Sequence, residues 1–298
     1  MVTKYFLPWF GGSASVWATS LVFFTVFLLF GYLYAHLLTR YLKPRTQMIA
    51  HGFVLILTML FLSWCWIQWG NPLLPPITWK MMLSTAPATQ LLLFLLLTVG
   101  LPYVVLSSTS PLLQIWVEPV SKGTPYRLYS LSNIGSLGAL IAYPFLIEPF
   151  FSLQTQVVIW TSAFFLCEIL FCVSGLLFVW AGVRVHSGEE RAHSVVSKKM
   201  IWHWLALSFL PAALLVSTTS VLTQGVASVP FLWILPLALY LLTFILAFAD
   251  VVLPERLLLI LVSVFACLSF IAGAHQEEGY FLIRLGIYLS FFFLSAWL

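Results

Sequence analysis

Charged residues are scarce in this chain. Its 298 residues include 13 Lys or Arg and 9 Asp or Glu, so only 7% are charged, whereas 62% are hydrophobic and the mean hydropathy is +1.05. Soluble globular domains carry about 25% charged residues. The composition therefore excludes a soluble enzyme or a soluble binding domain, and it indicates a polytopic integral membrane protein.

Signatures of metal, disulfide and nucleotide chemistry are also missing. The sequence contains no glycine-rich nucleotide loop, and its cysteines show no paired spacing that would suggest a metal site or a disulfide framework. We therefore predict no cofactor and no metal site. Each cysteine falls in an apolar run and is expected to be a buried small hydrophobic residue. These four residues are Cys65, Cys167, Cys172 and Cys267.

Long apolar runs recur along the whole chain. A transmembrane helix needs about 20 such residues. The runs predict an all-α, polytopic bundle of about nine transmembrane helices in one membrane domain. Residues 1–183 and 201–298 form two helical groups around the charged segment 184–200, which we interpret as a cytoplasmic linker. The predicted spans are about 15–39, 47–68, 89–114, 127–148, 156–183, 201–222, 229–249, 254–273 and 280–298.

The basic residues predict an orientation for this bundle. With the N-terminus outside, all but three of the 13 Lys and Arg residues fall in inner loops, notably at 40–46 and 184–200. The outer side keeps Lys4, Lys80 and Arg284. Because basic residues concentrate in cytoplasmic loops, we expect these two loops to face the cytoplasm. The net charge of +4 is thus a feature of topology, and nucleic acid is not an expected partner.

A repeated stretch suggests where a site could lie. Residues 101–114 read LPYVVLSSTSPLLQ, and residues 210–224 read LPAALLVSTTSVLTQ. In each copy two serines and a glutamine recur at i, i+3 and i+7, on one face of a helix. A proline inside a helix leaves a carbonyl unpaired, so that hydroxyls beside it could line a polar path. The substrate-binding candidates are Ser107, Ser110, Gln114, Ser217, Ser220 and Gln224, with Pro102 and Pro211 as helix-kink positions.

The two copies fall in the third and sixth predicted spans and therefore cross the membrane in opposite directions. Inverted repeats with interrupted helices are typical of the midplane sites of secondary transporters. With one further helix before residue 1, the order of spans would match the major facilitator architecture. We predict that the two polar faces meet across a shared cavity. The alternative is that small hydroxylated residues only let helices pack closely.

Two more polar residues lie within predicted spans. Asn133 needs a hydrogen-bond partner, which either helix packing or a ligand would supply. Glu168 is the only charged residue well inside a span. A carboxylate there costs several kcal/mol unless it is paired, hydrated or protonated, so Glu168 is a candidate for substrate binding. The alternatives are a protonated structural side chain, or a general acid or base, for which the sequence places no second group nearby.

Several motifs in order carry a resemblance to a known family. They are LPWFGGSASVW, FLLFGYLYAH, LPYVVLSSTSPLLQ, PYRLYSLSNIGSLGALIAYPFLIEP and VASVPFLWILPLALYLLTFILAF. Together they resemble the membrane region of the fused major-facilitator/spermidine-synthase-like bacterial proteins. In that family a further helix normally precedes the first motif, and a soluble aminopropyltransferase-like domain follows the membrane part. The resemblance therefore implies a transporter-like domain in the bacterial inner membrane, and it does not imply synthase activity for these residues.

The sequence thus leads to two functional hypotheses. The first is a transporter-like inner-membrane protein that moves or presents a small solute, with polyamines as a candidate class, to a soluble synthase-like partner. A second copy or another membrane subunit could complete it. The alternative is a structural or assembly subunit of a larger complex, without transport activity. We do not expect an enzyme, because the catalytic domain of the resembled family has no counterpart in these residues.

Overall fold

The structure is a computed structural model that describes residues 2–11, 14–76, 78–79, 86–117, 126–180, 197–223, 230–249, 251, 253–274 and 281–298. Regular structure in these ranges is helical and includes no strand, which confirms the predicted all-α class. The helices are α1 (Val2–Phe10), α2 (Ala14–Tyr41), α3 (Pro44–Trp69), α4 (Pro87–Leu95), α5 (Leu101–Val117), α6 (Tyr126–Ala142), α7 (Leu153–Trp180), α8 (Lys198–Thr223), α9 (Pro230–Phe248), α10 (Glu255–Ala274) and α11 (Phe281–Trp297).

Seven helical stretches within the described residues are long and apolar enough to cross a membrane. They are Ser15–Tyr41, Pro44–Trp69, Pro87–Trp116, Leu128–Ile147, Leu153–Leu177, Lys198–Leu222 and Glu255–Gly273. Two further apolar helices, Ile234–Phe248 and Leu282–Trp297, are shorter. A multi-pass helical membrane protein is therefore confirmed, whereas the number of nine spans stays a prediction. The third stretch joins α4 to α5 through a π-helical turn, Leu96–Gly100.

The helices form two compact units by their contacts. The first unit comprises Met1–Gly123 and Ile147–Ala192 and holds α1 to α5 and α7. The second comprises Thr124–Leu146 and His193–Leu298 and holds α6 and α8 to α11. The span 127–148, which the sequence predicts to belong to the first helical group, forms α6. In the structure α6 packs against α9 in the second unit. Most of the predicted linker lies outside the described residues.

In the first unit, α2 packs along α5 and α4, while α3 packs against α7 and α5. The aromatic opening segment folds as α1, where the fully buried Phe6 stacks on Phe94 with ring centroids 5.7 Å apart. The Tyr5 hydroxyl donates to the Pro75 carbonyl oxygen at 2.7 Å. Burial raises the pKa of Tyr5, so the phenol stays a neutral donor. This contact joins α1 to the proline-rich segment after α3.

In the second unit, α6 and α9 share an aromatic contact between Tyr129 and Phe248, whose ring centroids lie 5.3 Å apart. Phe292 of α11 is fully buried and lies 6.3 Å from the ring of Tyr240 on α9. The expectation that all four cysteines are buried is wrong for two of them. Cys65 is buried and Cys172 is half-buried, but Cys167 and Cys267 are exposed. Exposure of a cysteine in a membrane helix is compatible with its apolar surroundings, because lipid replaces the protein interior.

Candidate functional site

The first predicted polar face lies on α5, and Ser107 within it contacts another helix. Ser107 faces Gly31 of α2, where the absence of a side chain allows close approach. A Cβ at Gly31 would lie 2.9 Å from the Val104 carbonyl oxygen and would clash with the Ser107 hydroxyl. That hydroxyl donates to the same carbonyl at 3.0 Å. Ser107 therefore lies at a close contact between α5 and α2, where small residues let two helices approach.

The remaining members of this face bond to each other. Ser110 is exposed and Gln114 is half-buried. The Gln114 side-chain amide donates to the Ser110 hydroxyl at 3.2 Å, one helical turn away. Within the first unit, therefore, Ser107 packs against Gly31 of α2, whereas Ser110 and Gln114 contact each other. These last two residues form a polar patch on the surface of α5.

The second polar face lies on α8 in the other unit. Ser217 and Ser220 are exposed there, and the Ser217 hydroxyl donates to the Ala213 carbonyl at 2.8 Å. Gln224 lies outside the described residues. The two faces belong to different units, and the predicted cavity between them stays a prediction.

The backbone conformation differs around the prolines of the two repeats. Pro102 follows the π-helical turn Leu96–Gly100, so the interruption predicted for this span takes the form of a π turn. Such turns are frequent at functional sites. Pro211 instead lies inside α8, which continues as an α-helix from Lys198 to Thr223. The sequence similarity of the two copies therefore exceeds their similarity in backbone.

Asn133 has its partner within its own helix. Its side-chain amide donates to the Tyr129 carbonyl oxygen at 2.8 Å, one turn back on α6. This bond supplies the partner that the sequence required, without a neighbouring helix or a ligand. The small residues beside Asn133 are exposed. They are Ser132, Gly135, Ser136 and Ala139.

Glu168 is the candidate that the structure distinguishes most clearly. It lies near the middle of α7 and is 1% exposed, and neither carboxyl oxygen has a hydrogen-bond partner among the described residues. The Thr161 hydroxyl, two turns earlier on the same buried face, is likewise unpartnered there. The large majority of buried side-chain polar atoms in proteins have a hydrogen-bond partner. A buried carboxyl of this kind is suited to bind an amine, a hydroxyl or a proton.

His51 is a buried polar residue that the sequence does not single out. It is fully buried on α3, with Nδ1 3.2 Å from the Tyr34 hydroxyl and Nε2 unpartnered within the described part of the chain. Its ring centroid lies 4.8 Å from that of Phe171, one turn along α7 from Glu168. The sequence signal that could have found it is the spacing of the polar residues Gln47, His51 and Thr58, which share one face of α3.

A neighbouring polar contact in the same unit is complete. The Trp116 indole N–H donates to the Gln47 side-chain oxygen at 3.0 Å, and the Gln47 side-chain nitrogen donates to the Leu42 carbonyl at 2.8 Å. The indole N–H, the Gln47 side-chain oxygen and the Gln47 side-chain nitrogen therefore all have partners within α3, α5 and the turn before α3. This contact therefore stabilises the unit and leaves no group for a ligand, in contrast to Glu168.

Neither metal chemistry nor a relative identifies the site. Among the described residues, no group of three or more His, Cys, Asp or Glu side chains could hold a metal ion. Comparison with protein-family models, with curated proteins and with solved structures finds no match to this chain. The resemblance to the fused major-facilitator/spermidine-synthase-like proteins therefore stays an expectation that rests on the motifs alone.

Proposed function

We propose that this protein is a transporter-like protein of the bacterial inner membrane, with about nine spans, that moves or presents a small solute to a soluble or membrane-bound partner. The observation that carries this proposal is Glu168, buried in a membrane helix with both carboxyl oxygens unpartnered in the described part of the chain. Ionisable residues inside membrane helices are costly, and they mark solute or ion pathways in transporters.

The chemistry of Glu168 favours a cationic or hydrogen-bonding solute. An ammonium group donates several charge-assisted hydrogen bonds and would pair both carboxyl oxygens at once. Such a pair offsets part of the desolvation penalty that the unpaired carboxylate carries. Polyamines present ammonium groups of this kind, so the class implied by the sequence resemblance is also the first class to test at Glu168.

A structural or assembly subunit remains the second candidate, and one observation favours it. Ser107, a leading member of the predicted polar path, packs against Gly31 within the first unit. If every polar residue of the repeat served packing in this way, the chain would need no solute. The two candidates differ in what Glu168 does, so that residue decides between them.

The test is uptake of labelled spermidine and putrescine by proteoliposomes that contain the full chain. We expect uptake by the native protein and a loss of at least about tenfold in Glu168→Gln, since bonds to charged groups contribute about 1.5–3 kcal/mol. Glu255→Gln, at an exposed position at the start of α10, is the matched control and should retain uptake. No uptake by any form would favour the structural subunit, whereas equal uptake by Glu168→Gln and the native protein would contradict the role proposed for Glu168.

The orientation gives a separate prediction. In a cysteine-free background, a cysteine at position 187 should react with a membrane-impermeant maleimide only after cells are permeabilised, because the basic loops face the cytoplasm. The background matters because Cys167 and Cys267 are exposed in the native chain. Labelling of position 187 in intact cells would reverse the proposed topology. A cysteine at Lys43 should behave in the same way.

A further inference from the structure

A cleft of about 390 Å³ lies between α3 and α7 in the first unit, and Trp116 of α5 also lines it. Glycines open both walls. A Cβ at Gly52 would meet no atom within 4 Å, and a Cβ at Gly175 would make only ordinary contacts, 3.6 Å from Trp116 and 3.8 Å from Met48. The volume falls in the range of about 300–1,000 Å³ that is typical of small-molecule sites.

The cleft is elongated, apolar and positively charged at one end. Among the described residues that line it, Arg45 is the only charged one, and the other side chains are apolar or weakly polar. Arg45 and Leu55 both line the cleft on α3, and ten residues of helix span about 15 Å. Walls of this kind do not match a sugar or a nucleotide, which need many hydrogen bonds. They match a molecule with one anionic end and an apolar chain.

The edges of the cleft are accessible and its charged end is strongly basic. Ile49 of α3 is 73% exposed and Leu176 of α7 is 69% exposed, so the apolar chain of a bound molecule can enter the cleft from the surrounding lipid. Arg40 and Lys43 are exposed beside Arg45 at the turn between α2 and α3. Each basic residue near a membrane surface attracts anionic lipid by about 1 kcal/mol. The first turn of α3 has no side-chain cap, which adds to the attraction for an anion.

We propose that the cleft between α3 and α7 binds one anionic phospholipid. Its phosphate is held by Arg45, and one acyl chain occupies the space left by Gly52 and Gly175. The site is separate from the proposed solute function of Glu168 and stands without it. A lipid bound in this way would fill the gap between two helices that contact each other beside it, and would join the first unit to the inner leaflet.

The test is native mass spectrometry of the full chain, titrated in detergent with phosphatidylglycerol. We expect one tightly bound lipid on the native protein, about fivefold weaker binding in Arg45→Gln from the loss of one surface charge, and no tight binding in Gly52→Leu, whose side chain fills the cleft. Gly135→Leu on α6 is the matched control, because a Cβ there also meets no atom within 4 Å, and it should bind as the native protein does.

Two further titrations separate lipid from other occupants. Phosphatidylcholine should bind more weakly than phosphatidylglycerol, and glycerol phosphate should not displace the lipid at equal concentration. The proposal is overturned if both lipids bind equally, if glycerol phosphate competes fully, or if Arg45→Gln and Gly52→Leu bind as the native protein does. Monodisperse elution and unchanged circular dichroism establish folding of each variant. Arg45 is exposed, so Arg45→Gln decides the matter if Gly52→Leu does not fold.

Discussion

Replacing Gly31 with alanine should destabilise the first unit by about 1–3 kcal/mol, the range expected when a well-packed contact is overfilled. The added Cβ would lie 2.9 Å from the carbonyl oxygen of Val104 and would clash with the hydroxyl of Ser107. A backbone oxygen cannot swing aside as the end of a flexible side chain can. The helices α2 and α5, which pack along each other, would have to separate.

A glycine inside another helix, at an open position, provides the control for this change. Gly135 lies inside α6, and a Cβ there meets no atom within 4 Å. Gly135→Ala should therefore raise stability by about 0.5–1 kcal/mol, because alanine loses less backbone entropy in a helix. The two substitutions are chemically identical and differ in expected sign. Unfolding in sodium dodecyl sulfate, followed by circular dichroism, measures both, and a stable Gly31→Ala would show that α2 and α5 do not approach closely.

A double variant examines the role of Ser107 in the same contact. Ser107→Ala removes the hydroxyl that a Cβ at Gly31 would meet, but the Cβ of residue 107 and the Val104 carbonyl oxygen, each 2.9 Å from that position, remain. Gly31→Ala combined with Ser107→Ala should therefore recover part of the lost stability. Coupling of this kind is the expected signature of two residues in contact. It would also establish that one residue of the predicted polar path functions in packing.

The helices could be predicted from sequence because the bilayer imposes their length and forces every backbone group into internal hydrogen bonds. The predicted span 47–68, for example, corresponds to α3, Pro44–Trp69. The helices that pack against each other could not be predicted in the same way. A membrane helix is apolar on all sides, so its pattern does not mark the face that meets protein. The packing of α6 against α9 could not be predicted for this reason.

The candidate site could be predicted only where burying a single residue in the membrane has a large free-energy cost. Glu168 stands out in the sequence because a charge inside an apolar run is costly in any arrangement. His51 does not, because the predicted span began at residue 47. The structure begins α3 at Pro44, a favoured first position, and places His51 two turns inside. The role of Ser107 depends on Gly31 in another helix, which no local pattern indicates.

Glu168→Leu should stabilise the protein by about 1–3 kcal/mol while abolishing solute uptake. A buried polar group without a partner carries its full desolvation penalty, and an apolar side chain of similar size removes that penalty. Glu168 is 1% exposed, and both of its oxygens are unpartnered among the described residues. A residue that lowers stability and raises activity is expected at a functional site.

The sign of the stability change separates the two functional hypotheses. If Glu168 were a protonated structural side chain with a partner of its own, Glu168→Leu would break that bond and destabilise the protein by about 1–3 kcal/mol. Thr161→Val is the matched control, because its hydroxyl is also buried and unpartnered on the same face of α7. It should gain a little stability and keep full uptake. Unfolding in sodium dodecyl sulfate and proteoliposome uptake, measured on the same preparations, give both results. A Glu168→Leu variant that is less stable than the native protein contradicts the proposed solute site, because Glu168 would then already be satisfied within the fold.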